Sequence, residues 1–130
     1  MFKKKSRLLA LFLAALLLWP SFSRPVLGSE NPACENPPIE EIARKLERIA
    51  RSRQIPSVIL KTVAFCESGW RQFDQDGNVL IGKSSSNPSL GIMQITSYDA
   101  SDDELVEKLK YDIDFNIAFG ADLLNEKWDR

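Results

Sequence analysis

The chain has 130 residues, a formal net charge of −1, two cysteines and no histidine. That length suits one small domain. Without histidine, Ser-His-Asp and Cys-His catalysis are excluded; a zinc site would rest on two cysteines and carboxylates alone, so no metal is expected.

Residues 1–28 read as a secretory signal. Lys3, Lys4, Lys5 and Arg7 form a basic start, and residues 8–19 are twelve consecutive apolar side chains, a normal signal length but short for a bilayer span. Pro20 breaks the run, and Val26-Leu27-Gly28 suits a signal peptidase that leaves Ser29 first. The alternative is an uncleaved anchor holding the domain outside the membrane, the only membrane contact expected. Both readings place the domain outside the cytoplasm, secreted or in the cell envelope. A lipoprotein is disfavoured, because Cys34 follows Asn31-Pro32-Ala33 with no apolar run beside it. Residues 1–28 hold five basic and no acidic side chains, so the remainder carries twelve basic against eighteen acidic, a net charge of −6. Nucleic acid is therefore not an expected partner, since phosphate neutralisation needs a basic face.

Both cysteines lie in the exported part. An even count in an oxidising compartment predicts one bridge, Cys34–Cys66. Closing a loop of that length would stabilise the domain by roughly 3–4 kcal/mol. The alternative is two free thiols, with Cys66 a small buried apolar residue.

Residues 29–37 form an extended leader rich in proline and asparagine. Pro37 and Pro38 then suit a first helical turn, and Glu40 and Glu41 its positive end. Ile39, Ile42, Ala43, Leu46, Ile49 and Ala50 recur at helical spacing, which predicts an amphipathic helix to about Ser52. Ile55-Pro56 marks the break. The next helix, from Pro56 to Cys66 or slightly beyond, carries Val58, Ile59, Leu60, Val63, Ala64 and Phe65, apolar on most sides and so expected in the core. Gly69 suits the left-handed residue that ends it. Glu67 then closes the helix at the edge of the interior, where burial would favour the protonated form that a general acid needs; the alternative, stronger on these residues alone, is a merely solvated Glu in a last helical turn.

Residues 73–81 read as two short strands about an Asp76-Gly77 turn. Asp74, Asp76 and Asn78 alternate as in a calcium loop, but the glycine offset is wrong and no Glu stands at the twelfth position. Residues 83–88 form a polar serine loop that could rim a cleft. In Gly91-Ile92-Met93-Gln94-Ile95 the glycine permits close backbone approach, and Gln94 offers a donor and an acceptor amid apolar neighbours. Ser101-Asp102-Asp103-Glu104 reads as a capping box opening a helix, and Asp114 as the N-cap of a last helix with Ile117, Ala121, Leu124 and Trp128 on one face.

Glu67-Ser68-Gly69-Trp70, then Gly91-Ile92-Met93-Gln94-Ile95, then Asn116-Ile117 with Gly120-Ala121 and Leu123-Leu124, together resemble the soluble-lytic-transglycosylase domain family, which has the goose-type lysozyme fold and cleaves peptidoglycan. The likeness spans residues 38–128 of a domain read as 38–130. The family's later A-Y-N-x-G segment, whose tyrosine lines its site, has no counterpart in these residues, so the domain is expected to be short at its C-terminal end; Tyr98 and Tyr111 are the candidate substitutes. The resemblance implies a mainly α, lysozyme-like helical domain with a small β-hairpin beside the cleft. It further implies a monomer that acts on peptidoglycan glycan strands without cofactor or metal. Glu67 would act as acid and then base in cleaving the MurNAc–GlcNAc β-1,4 bond, giving a 1,6-anhydromuramoyl product. Ser68, Trp70, Met93, Gln94 and Asn116 would bind substrate or orient Glu67, with Asn116 acting as a hydrogen-bonding strut. The alternatives are a muramidase of lysozyme type using water, and a non-catalytic peptidoglycan-binding module.

Overall fold

A computed structural model describes residues 34–83 and 87–128. The signal or anchor read at 1–28, the leader up to residue 33 and the three serines at 84–86 lie outside the described residues. The described part is mainly helical, with four α-helices and one small antiparallel sheet, as expected. None of the helices among the described residues is long and apolar enough to cross a membrane.

Helix α1, Ile39–Ser52, is the amphipathic helix of the sequence pattern. Ile42, Leu46, Ile49 and Ala50 are buried on one face, and Glu40 and Glu41 occupy the first turn. Its end is closed by Gln54 in the left-handed conformation, φ 58°. The Ile55 N–H then reaches the Ala50 carbonyl at 2.9 Å and the Gln54 N–H that of Arg51 at 3.3 Å, a Schellman closure without glycine.

Helix α2, Ser57–Ser68, ends as the sequence predicts, with Gly69 left-handed at φ 63°. Its burial differs from expectation. Only Leu60, Ala64 and Ser68, one stripe at a spacing of four, are buried. Val58 and Phe65 are 66% and 65% exposed. An apolar composition all round does not make an interior helix here; one face meets the core and the other carries its apolar side chains bare.

The β-structure also departs from expectation in its pairing. Strand β1, Ile81–Gly82, pairs antiparallel with β2, Ser89–Leu90, across the serine loop, with Ile81 opposite Leu90. The expected Asp-Gly hairpin contributes only an isolated bridge, Phe73 to Val79. Its turn is held by Asp74, whose carboxylate accepts from the backbone N–H groups of Asn78 and Asp76, both at 2.9 Å. These bonds, that of Asn78 foremost, hold the Asp74 carboxyl below the usual carboxylate range.

Helix α3, Asp103–Tyr111, is capped one residue later than the expected box. Asp102 accepts from the Leu105 N–H at 3.0 Å, while Ser101 turns back to Asp99. Helix α4, Ile113–Trp128, is capped by Asp112, which accepts from the Phe115 N–H at 2.9 Å. The predicted cap, Asp114, instead binds Lys45 at 2.7 Å and pairs with Arg48 on α1. Helix α1 packs on α2 and α4, and α3 on α4. The core joins Leu46, Leu60 and Ala64 to Ile92, Leu109, Ile117 and Ala121.

Candidate active site

The two motif stretches meet because a set of buried side chains holds one backbone segment. Residues 91–94 form a turn between β2 and the chain leading to α3. Ser68, the last residue of α2, donates from Oγ to the Ile92 carbonyl at 2.8 Å. Asn116, fully buried on α4, accepts from the Met93 N–H at 3.0 Å and donates to the carbonyls of Leu90 and Leu109 at 3.0 and 2.7 Å. Gln72, also fully buried, accepts from the Ile92 N–H at 2.8 Å and donates to the carbonyls of Leu109 and Lys110 at 2.9 and 2.7 Å. The Ile92 and Met93 N–H groups and the Ile92 carbonyl of the turn thus each have a buried side-chain partner, as burial requires.

Gly91 is where these amides close in. A Cβ there would lie 2.5 Å from Asn116 Nδ2 and 2.5 Å from the Gln72 amide, and its φ of +69° is already unfavourable for other residues. Gly120 does the same job beneath Met93, whose Cβ would lie 2.8 Å from an added methyl. Gln94 has φ 46°, and its side chain bonds inward: Nε2 donates to the Gly91 carbonyl at 2.8 Å, and Oε1 accepts from Ser89 Oγ at 2.6 Å. Of the three non-glycine residues with positive φ among the described residues, Trp70 and Gln94 fall in the two motifs. Such conformations cost about 1–3 kcal/mol each and collect at functional sites.

This scaffold builds a groove of about 200 Å³. Glu67 and Val63 of α2 form one wall. Met93, Gln94 and Ile95 form the floor, continued by Thr96 and Ser97. Gly120, Leu123, Leu124 and Lys127 of α4 form the other wall. Glu67 therefore shares a groove with Met93 and Gln94, residues 26 and 27 positions further along the chain.

Several expectations need correction. Glu67 is exposed, so the dry setting foreseen for it is not found; α2 turns its buried stripe through Ser68 and leaves Glu67 on the solvent side. Ser68 and Asn116 do not line the groove, because their polar atoms are spent on the turn; they position it. Asn116 is the expected strut. Trp70 stands elsewhere. Its Nε1 donates to the Lys61 carbonyl at 2.8 Å, and it lines a separate hollow with Val58 and Phe65 on the outer face of α2. Neither Tyr98, whose hydroxyl donates to the Pro88 carbonyl at 2.9 Å, nor Tyr111 borders the groove. Cys34 and Cys66 are not bridged. Cys66 is exposed on α2, whereas the Cys34 carbonyl and Cβ pack against Gly77 of the Asp74 turn. Among the described residues no cluster of Cys, Asp or Glu is arranged to hold a metal ion.

Sequence reasoning missed Gln72 and Lys127. Gln72 follows the first motif by two positions but carries no pattern of its own, and its partners lie 20 and 37 residues away. Lys127 reads as an ordinary basic residue in a last helical turn. Compared with protein-family models, curated proteins and solved structures, the chain matches none of them.

Proposed function

We propose that the chain acts on peptidoglycan glycan strands as a lytic transglycosylase, with Glu67 as its single acid and base. The observation that carries the reading is the meeting of Glu67 with Met93 and Gln94 in one groove. The resemblance noted in the sequence assigns those three residues to one site. In this reaction Glu67 gives its proton to the oxygen between N-acetylmuramic acid and N-acetylglucosamine, and the bond to the muramoyl carbon breaks. The neighbouring acetamido group stabilises the sugar cation. The ionised Glu67 then takes the proton of the muramoyl C6 hydroxyl, whose oxygen closes the 1,6-anhydro ring; no water is consumed. This departs from the usual pair of carboxylates in glycosidases. Asp74 does not line the groove, and its carboxylate is occupied by its own turn.

The test is product mass after incubating the mature protein with purified sacculi. Anhydromuropeptides are expected from the wild type and none from Glu67→Gln, with an unchanged circular dichroism spectrum. Full activity in Glu67→Gln would overturn the assignment, and products heavier by one water would make the enzyme a muramidase.

The exposure of Glu67 favours a second reading, a non-catalytic module that binds the wall. Retention on sacculi with no soluble product would establish it.

A further inference from the structure

Two side chains of opposite charge line the groove. Glu67 stands on its α2 wall and Lys127 on its α4 wall, and no ion pair joins them. Of the other described lysines, Lys45 pairs with Asp114, Lys61 with Glu47, Lys108 with Glu104 and Lys110 with Glu107, while Lys83 has no carboxylate partner among the described residues but does not line the groove. Lys127 has none among the described residues, and among them it is the cation that lines the groove. Thr96 and Ser97 add hydroxyls to the same groove. A lysine lining the groove, in a chain whose part after residue 28 carries a net charge of −6, puts a positive charge near the site within a field that otherwise repels anions.

We propose that Lys127 anchors a carboxylate of the substrate, so that the groove selects glycan strands bearing an acidic substituent close to the bond that Glu67 attacks. This rests on reading the groove as a glycan site. The carboxylate has two possible sources: the ether-linked acid on the sugar itself, or the carboxylates of an attached peptide. An exposed ammonium–carboxylate pair contributes modestly, so the expected preference is roughly two- to fivefold, and it should shrink as salt is raised.

The experiment compares binding of end-labelled soluble strands by fluorescence anisotropy. Three preparations are used: strands with their peptides, strands stripped of peptide so that the sugar acid is free, and both after carbodiimide amidation of every carboxyl. The wild type is expected to prefer acid-bearing to amidated strands, Lys127→Gln to show no preference, and Lys127→Arg to recover it. A preference for intact strands alone assigns the carboxylate to the peptide; a preference for stripped strands alone assigns it to the sugar. A wild type indifferent to amidation, or a preference that survives in Lys127→Gln, overturns the proposal. Product release is followed in parallel. Preference without product would defeat the transglycosylase reading and leave the anchor standing; product without preference would do the reverse.

Discussion

The side chains that matter most to the site are amides with no chemistry of their own. Gln72 spends its amide on backbone: its oxygen accepts from the Ile92 N–H and its nitrogen donates to two carbonyls that end α3. Asn116 does the same from α4. Between them they hold the turn that brings Met93 and Gln94 to the groove that Glu67 also lines. Gln72→Ala would leave the buried Ile92 N–H unpaired and open a cavity, which should cost about 2–4 kcal/mol. Chemical denaturation checks this, and a loss below about 1 kcal/mol would show that water or a relaxed backbone replaces the amide. Asn116 was foreseen as a strut only through resemblance, and Gln72 was not foreseen. A buried amide is identified by its partners, and these partners are distant in sequence. The placement of Glu67 was legible in part: its groove was expected and is present, but its exposure was not, because an apolar neighbourhood in sequence does not fix which side of a helix faces inward.

Helix ends show where local chemistry suffices and where it does not. Gly69 was legible as the end of α2 because only a residue without Cβ adopts the left-handed conformation at no cost. The caps of α3 and α4 were misplaced, by one residue and by two. Runs such as Ser101-Asp102-Asp103 and Asp112-Ile113-Asp114 offer several suitable oxygens, and tertiary contacts choose among them: Lys45 and Arg48 claim Asp114, leaving Asp112 to cap. The end of α1 leads to a prediction. Gln54 holds φ 58° in a complete Schellman closure. A left-handed residue with a side chain costs about 1–2 kcal/mol, and glycine's greater freedom in the unfolded chain returns roughly 0.5–1 of that. Gln54→Gly should therefore stabilise the domain by about 0.5–1 kcal/mol, seen as a higher melting temperature. A lower one would mean that the Gln54 side chain makes a contribution larger than its backbone strain.

At the scale of the whole molecule, the question is what holds a domain of this size together. The cysteine count and the signal-like start suggested a covalent tie from the domain's first residues to α2. The structure instead ties the first described residues by hydrogen bonds to the segment that follows α2. Asn36 accepts from the Gln72 and Phe73 N–H groups at 2.7 and 3.0 Å and donates to the Phe73 carbonyl at 2.7 Å, which fixes the segment leading into α1 without Cys34. The core of α1, α2 and α4 is continuous beneath the groove. With Cys66 exposed and Cys34 packed beside Gly77, the two thiols serve different surroundings. Reductant should then leave the melting temperature unchanged to within about 2 °C, whereas loss of a bridge worth roughly 3–4 kcal/mol would lower it by well over 10 °C. Under native conditions both thiols should alkylate, Cys66 first because it is exposed and Cys34 more slowly because it is half-buried. A reductant-dependent fall on the larger scale, together with two unreactive thiols in the folded protein, would show that Cys34 leaves Gly77 to pair with Cys66. The start of the domain would then be tied directly to the helix that carries Glu67.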